Sequence, residues 1–152
     1  MRKFIHQCLR GMAGSNAVYV KEFTYGSYRI DSIIIDLRKR WIRGFEIKMT
    51  RADFLKDEKW QSYTEFTSSL SIVCPDGLIT PEEINKPFGL LYVKNGADHG
   101  RTLRWVKKPT RFQRRDGMAW LYLYLRVLEK EFPRMSWELE QTERKLWNLV
   151  NT

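Results

Sequence analysis

Three β-rich runs joined by short turn signals constrain the fold of this chain more than any other feature. Ala17 to Thr24 alternates in a strand-like way, Tyr28 to Leu37 is rich in β-branched residues, and Trp41 to Met49 resumes strand character. Gly26-Ser27 suits a two-residue hairpin turn and Arg38 to Arg40 is a polar break, so three sequential strands are expected.

The flanking segments add helices and further strands. Phe4 to Met12 reads as a short helix ended by Gly11 and Gly14. After the third strand, Thr50 with Asp53 is a capping pair, and Phe54, Trp60, Tyr63 and Phe66 recur at near-helical spacing, which predicts a helix from about Arg51 to Thr67. Leu70 to Cys74 is a buried strand, Thr80-Pro81-Glu82-Glu83 starts a short helix, and Gly89 to Val93 is another strand. Asn95-Gly96 turns the chain into a basic strand, Arg101 to Lys107. Two amphipathic helices follow, about Arg114 to Glu131 and Trp137 to Leu149, separated at Pro133 and restarted by a Ser136 cap. The expected class is α/β, a mixed sheet flanked by helices with a C-terminal helical extension. At 152 residues one domain is expected, its core about 1–94 and a hairpin with helices about 95–152.

Charge narrows the function classes. The chain carries 27 Lys and Arg against 18 Asp and Glu, a net charge of +9, which favours phosphate-rich partners. No apolar run approaches the roughly 20 residues that span a bilayer, so no membrane role is expected. His6, Gln7 and Arg10 interrupt the apolar residues after Arg2 and Lys3, so no signal-peptide core forms and a cytoplasmic location is the default. Cys8 and Cys74 have no metal-ligand neighbours and read as reduced thiols.

Strand parity decides which acids can meet. A two-residue turn at Gly26-Ser27 makes paired positions sum to 53, which sets Glu22 opposite Asp31. A turn at Arg38-Lys39 makes the next pairs sum to 77, and a turn at Lys39-Arg40 makes them sum to 79, so Asp31 faces either Glu46 or Lys48. Both put Asp31, Glu46 and Lys48 on one face, unless a bulge, for example at Gly44, flips the parity. Phe45, Ile47 and Met49 then form the packing face. Two acids opposite each other need a cation, a raised pKa or an arginine such as Arg29, and hard oxygen ligands suit Mg²⁺. Asp36 is a competing acid, placed near the hairpin tip and solvated. Alternating Glu and Lys also occurs on solvated strands for solubility, which is the plain alternative.

Arg29-Ile30-Asp31 stands fifteen residues ahead of Glu46-Ile47-Lys48, and on these residues the chain resembles the PD-(D/E)xK nuclease superfamily. The string Glu46 to Phe54 with Asp57, Lys59-Trp60 and Tyr63, then Val73-Cys74-Pro75 and Gly77-Leu78-Ile79, is similar to its MmcB-type DNA-repair branch. The likeness spans roughly Val20 to Val93. It implies a restriction-endonuclease-like αβββαβ core, Mg²⁺ with Mn²⁺ as a substitute, and DNA as substrate. It also implies metal held by Asp31, Glu46, the Ile47 carbonyl and, as an additional upstream acid, Glu22. Lys48 would be the catalytic lysine. Ile30 replaces the usual proline, and the resemblance does not extend to the tail after about Lys94.

Other residues carry two readings each. Asp53 and Asp57 either orient Lys48 and contact DNA, or serve as a helix cap and an ion pair; Trp60 and Tyr63 read as aromatic core. Arg101, Arg104, Lys107, Lys108, Arg111 and Arg114, interleaved with Trp105 and Phe112, either follow a phosphate backbone or form a solvated face. Trp120, Tyr122, Tyr124, Trp137 and Trp147 read as packing, and His6 and His99 as incidental. The leading expectation is a Mg²⁺-dependent DNA endonuclease. The alternative is a catalytically silent nuclease-fold protein that binds DNA or a repair partner, and homodimerisation is open in both.

Overall fold

Six strands form one sheet in the order in which they occur in the chain. They are β1 (Ala17–Tyr25), β2 (Tyr28–Asp36), β3 (Trp41–Ile47), β4 (Ser69–Pro75), β5 (Gly89–Gly96) and β6 (Gly100–Lys107). β1, β2 and β3 are antiparallel neighbours, β3, β4 and β5 run parallel, and β6 returns antiparallel to β5. This is a mixed sheet in an α/β fold, with the helices α1 (Arg2–Met12), α2 (Arg51–Lys56) and α3 (Pro133–Val150). The computed structural model describes residues 1–14, 16–36, 38–96, 100–112, 127–128 and 133–151. The chain divides into two units, Met1–Arg115 and Asp116–Thr152, so β6 belongs with the sheet rather than with the C-terminal segment. Among the described residues, no helix is long and apolar enough to cross a membrane.

Turn chemistry sets the registers. Gly26 takes φ +59°, the left-handed conformation that a tight hairpin needs, and the first ladder runs from Tyr25 opposite Tyr28 to Ala17 opposite Asp36. These pairs sum to 53. In the second hairpin Asp36 faces Trp41 and Ser32 faces Phe45, which selects the sum of 77. Asp36 Oδ1 accepts a hydrogen bond from Lys39 N at 2.8 Å, so this acid closes the hairpin loop.

One face of the sheet is covered by α1. Ile5 and Leu9, one turn apart, are fully buried against Tyr19, Ile34, Phe45, Ile47 and Val73, with Met49 partly buried at the rim. Phe45, Ile47 and Met49 thus form the packing surface read from their alternation. A polar knot fixes the helix: the Tyr19 hydroxyl lies 2.5 Å from His6 Nδ1 and 3.0 Å from Ser32 Oγ, and the last two atoms are 3.0 Å apart. His6 is therefore structural rather than incidental. Burial, aided by Lys21, lowers its pKa.

Three helix expectations need correction. The segment Arg51 to Thr67 is not one helix: α2 ends at Lys56 and a 3₁₀ stretch, Trp60–Glu65, follows. Asp57 causes the break, because its carboxylate accepts from Lys59 N at 2.9 Å and from the Lys48 ammonium, and its backbone leaves the helical region. Trp60 and Tyr63 are nevertheless buried, as their spacing suggested. The segment after Thr80 is only a 3₁₀ turn, Pro81–Glu83, with the Glu83 carboxylate accepting from Thr80 N at 2.8 Å. Finally, α3 starts at Pro133 instead of restarting after Ser136, since a proline lacks only an N–H that the first turn leaves unpaired anyway. The Arg114 to Glu131 expectation lies outside the described residues apart from Val127 and Leu128, which are helical. In α3, Trp147 is 70% exposed rather than packed.

Candidate active site

The β2–β3 ladder stops one residue short of Asp31, and side chains take over from backbone rungs. Ile47 N donates to Asp31 Oδ2 at 2.8 Å, and Asp31 N lies 3.4 Å from Glu46 Oε2. Asp31 and Glu46 occupy the positions that the sum of 77 sets opposite each other. Lys48 follows the end of β3, its N–H donating to Val73 O of β4 at 2.9 Å. The register and these side-chain contacts bring Asp31, Glu46 and Lys48 to one cleft.

The same parity does not hold at Glu22. The rungs on either side, Lys21 with Ser32 and Phe23 with Ile30, are in place, but the Glu22–Asp31 rung is missing. Glu22 has φ +52°, a conformation rare outside glycine. The strand changes face here. Gly44 is opposed by Ile33, so strict alternation would put Ile30 on the other face, yet a Cβ on Gly44 would lie 2.8 Å from Ile30 Cδ1. The irregularity lies at Glu22 and Asp31, not at Gly44. The Glu22 carboxylate lies 3.6 Å from the Arg29 guanidinium, both well exposed, and neither residue lines the cleft that holds Asp31.

Electrostatics in the cleft are dominated by a buried lysine between two acids. Lys48 Nζ donates to Glu46 Oε1 at 3.2 Å and to Asp57 Oδ2, and its side chain is only 6% exposed. Burial, reinforced by the nearby Asp31 charge, pushes Glu46 up to about 7 despite the Lys48 contact. Asp57 moves the other way: burial alone would raise it, but the hydrogen bonds from Lys48 and from backbone N–H groups outweigh burial and hold it low. The two carboxylates on one ammonium therefore differ, Asp57 being the firm counter-ion and Glu46 the one that titrates near neutrality.

The cleft is open, about 370 Å³, and is lined also by Asp53, Lys56 and Arg2. Asp53 N is capped by Thr50 Oγ1 at 3.1 Å, which leaves its exposed carboxylate at the rim. Arg2 is the residue that sequence reasoning missed. From the first turn of α1 its guanidinium donates to Asp31 Oδ1 at 2.9 Å and to Ile47 O at 3.2 Å. No spacing rule links positions 2, 31 and 47; only the docking of α1 does. Among the described residues, no three His, Cys, Asp or Glu side chains form a ready cage. The converging oxygens are instead two carboxylates and a carbonyl, a hard set of the kind Mg²⁺ uses with waters. Asp31 and the Ile47 carbonyl already attract one cation, the Arg2 guanidinium.

The basic segment is dispersed. Lys107 Nζ donates to Ile84 O and lies 3.4 Å from Pro81 O, so it pins the 3₁₀ turn. The Arg111 guanidinium lies over the Trp41 ring, 3.1 Å from its centroid. Trp41 opens β3, and the roughly 3.3 Å rise per residue puts it about 20 Å from the cleft. Arg104 and Lys108 are exposed, Arg101 stands opposite Asn95 near the cleft end of β5, and Arg114 lies outside the described residues. Cys8 and Cys74 are free thiols.

No protein-family model and no curated protein matches the chain. A solved protein of unknown function from Silicibacter pomeroyi has a similar fold, with a TM-score of 0.60 and 22% identity over 92% of this chain and 86% of that one. At that identity the likeness concerns the α/β architecture alone.

Proposed function

We propose that this cleft hydrolyses phosphodiester bonds in DNA with Mg²⁺ as cofactor, in a restriction-endonuclease-like αβββαβ core of the PD-(D/E)xK type. The observation that carries the reading is the meeting of Asp31, Glu46 and Lys48 where the β2–β3 ladder ends. The element order from α1 to β4 agrees with such a core. Asp31, Glu46 and the Ile47 carbonyl would hold the ion, and Mn²⁺ would substitute. When bound, the ion polarises the phosphate and acidifies a water. Lys48 keeps its ammonium in the cleft, where it orients the attacking water and offsets charge growing on the phosphate. Asp57 is the positioning residue for Lys48. A net charge of +9, with exposed Arg104 and Lys108, supports a polyanionic substrate.

Purified protein incubated with supercoiled, linear, single-stranded and branched DNA, with and without Mg²⁺ or Mn²⁺, tests this directly. Metal-dependent cutting that falls by about 10²-fold or more in Lys48→Ala is expected; unchanged cutting by that variant sinks the mechanism. One observation favours a second reading, a catalytically silent DNA-binding or repair-partner protein: Arg2 already neutralises Asp31. Salt-dependent DNA binding with no metal uptake and no cleavage of any substrate would select it.

A further inference from the structure

Arg2 stands where the proposed metal would stand. Its guanidinium bridges two oxygens that belong to different strands, Asp31 Oδ1 of β2 and Ile47 O of β3. The helix that carries it cannot easily drift, because Ile5 and Leu9 are fully buried and His6, one turn after Arg2, is tied to Tyr19 and Ser32. The arginine side chain itself is different: it is 48% exposed, whereas the Asp31 side chain is 20% exposed. A fixed helix thus holds a long, half-solvated cation against a less exposed anion. Such a guanidinium can swing into water without disturbing α1.

We infer that Arg2 is a built-in competitor for the divalent cation, a residue that sets the metal affinity of the site by having to be displaced from Asp31 and Ile47. This rests on the metal-dependent reading above. An ion on the same two oxygens would face the like charge of the guanidinium at close range, so binding displaces Arg2 from both contacts, and the affinity is lowered by what those contacts contribute. Half-exposed charged pairs of this kind are modest in strength, which corresponds to a weakening on the order of fivefold to tenfold. The geometry also separates competition from simple charge repulsion. A lysine at position 2 keeps the charge but lacks the planar fork that spans two acceptors.

The test is Mn²⁺ binding to the full chain without DNA, followed by electron paramagnetic resonance at fixed ionic strength. Wild type, Arg2→Ala, Arg2→Lys and Arg2→Ala/Asp31→Asn are compared, with helix content checked by circular dichroism. Competition predicts that Arg2→Ala and Arg2→Lys both bind Mn²⁺ about fivefold to tenfold more tightly than wild type, and that adding Asp31→Asn abolishes the gain. Equal affinity in wild type and Arg2→Ala overturns the inference while leaving the metal site standing. Arg2→Lys behaving as wild type also overturns it, because charge alone then accounts for the effect. No Mn²⁺ uptake by any variant overturns both the inference and the metal-dependent reading, leaving Arg2 as a permanent structural bridge.

Discussion

The two ends of β3 solve the same problem in opposite ways. At the Trp41 end the ladder with β2 is complete, and residues distant in the chain close the other side: Ile42 N donates to Ser68 Oγ at 2.9 Å, and Arg111 stacks on Trp41. At the Ile47 end the ladder stops and carboxylates replace carbonyls as partners of the backbone N–H groups. Closing a sheet end with backbone rungs, a hydroxyl and a stacked cation brings no carboxylates together there among the described residues. Closing it with Asp31, Glu46 and Lys48 puts interdependent charges in a place where removing one exposes the others. The difference teaches that charged side chains gather in this molecule where regular pairing was given up.

The contrast is most readily broken at Lys48. Lys48→Ala leaves Glu46 and Asp57 without their shared counter-ion, and a loss of about 3–5 kcal/mol in urea-induced unfolding at pH 8 is expected. A substitution at the other end, such as Arg111→Met, should cost less than half of that.

Glu46 sharpens the contrast through pH. Its carboxyl titrates near 4.5 when unfolded and near 7 in the folded protein. Between these values the native state holds a proton that the unfolded chain has lost. Stability is therefore highest below pH 4.5 as far as this group is concerned, falls as pH rises to about 7, and is flat above. The total fall is on the order of 3 kcal/mol, and Glu46→Gln should flatten it in metal-free unfolding measured from pH 5 to 8.

A smaller effect belongs to Gly44, against which Ile30 packs once the neighbouring strand has changed face. In Gly44→Ala the new Cβ would meet Ile30, Thr67 and Leu70 side chains at 2.8–3.0 Å. Overpacking of this kind should cost about 1–3 kcal/mol in denaturant unfolding. The smallest effect is expected at Lys107, whose amine serves carbonyls rather than solvent. Lys107→Met should lose about 1 kcal/mol and leave the salt dependence of DNA binding unchanged, whereas Arg104→Ala and Lys108→Ala should each lower that slope by about one. Equal slopes for all three variants would contradict the separation between internal and exposed cations.

Much of the site was legible because β-pairing is arithmetic. Gly26 and the polar break after Asp36 define two hairpins, and the period of two then sets Asp31 opposite Glu46 or Lys48, which the ladder resolves in favour of Glu46. The arithmetic failed at Glu22 for a local reason: one residue with positive φ is enough to drop a rung and turn the strand. The helix after Thr50 was misread because its aromatic spacing is real, while the competing partner of Asp57, Lys48, lies on a strand that helical periodicity does not see. The basic segment looked uniform in sequence, yet Lys107 and Arg111 are spent on internal partners, which depends on what β5, the 3₁₀ turn and Trp41 bring near them.

The sequence by itself determined the register of the first hairpin, the apolar face of β3 and the choice of Glu46 or Lys48 as the partner of Asp31, since each follows from turn residues and side-chain alternation within about twenty positions; the structure chose Glu46. Only the tertiary structure decided that Lys48 is clamped by Asp57 and that Arg2 reaches across to Asp31 and Ile47. Those contacts depend on where α1 docks and where α2 breaks. Docking and breaking are set by burial of Ile5 and Leu9 and by competition for one carboxylate, and neither leaves a periodic mark in the chain.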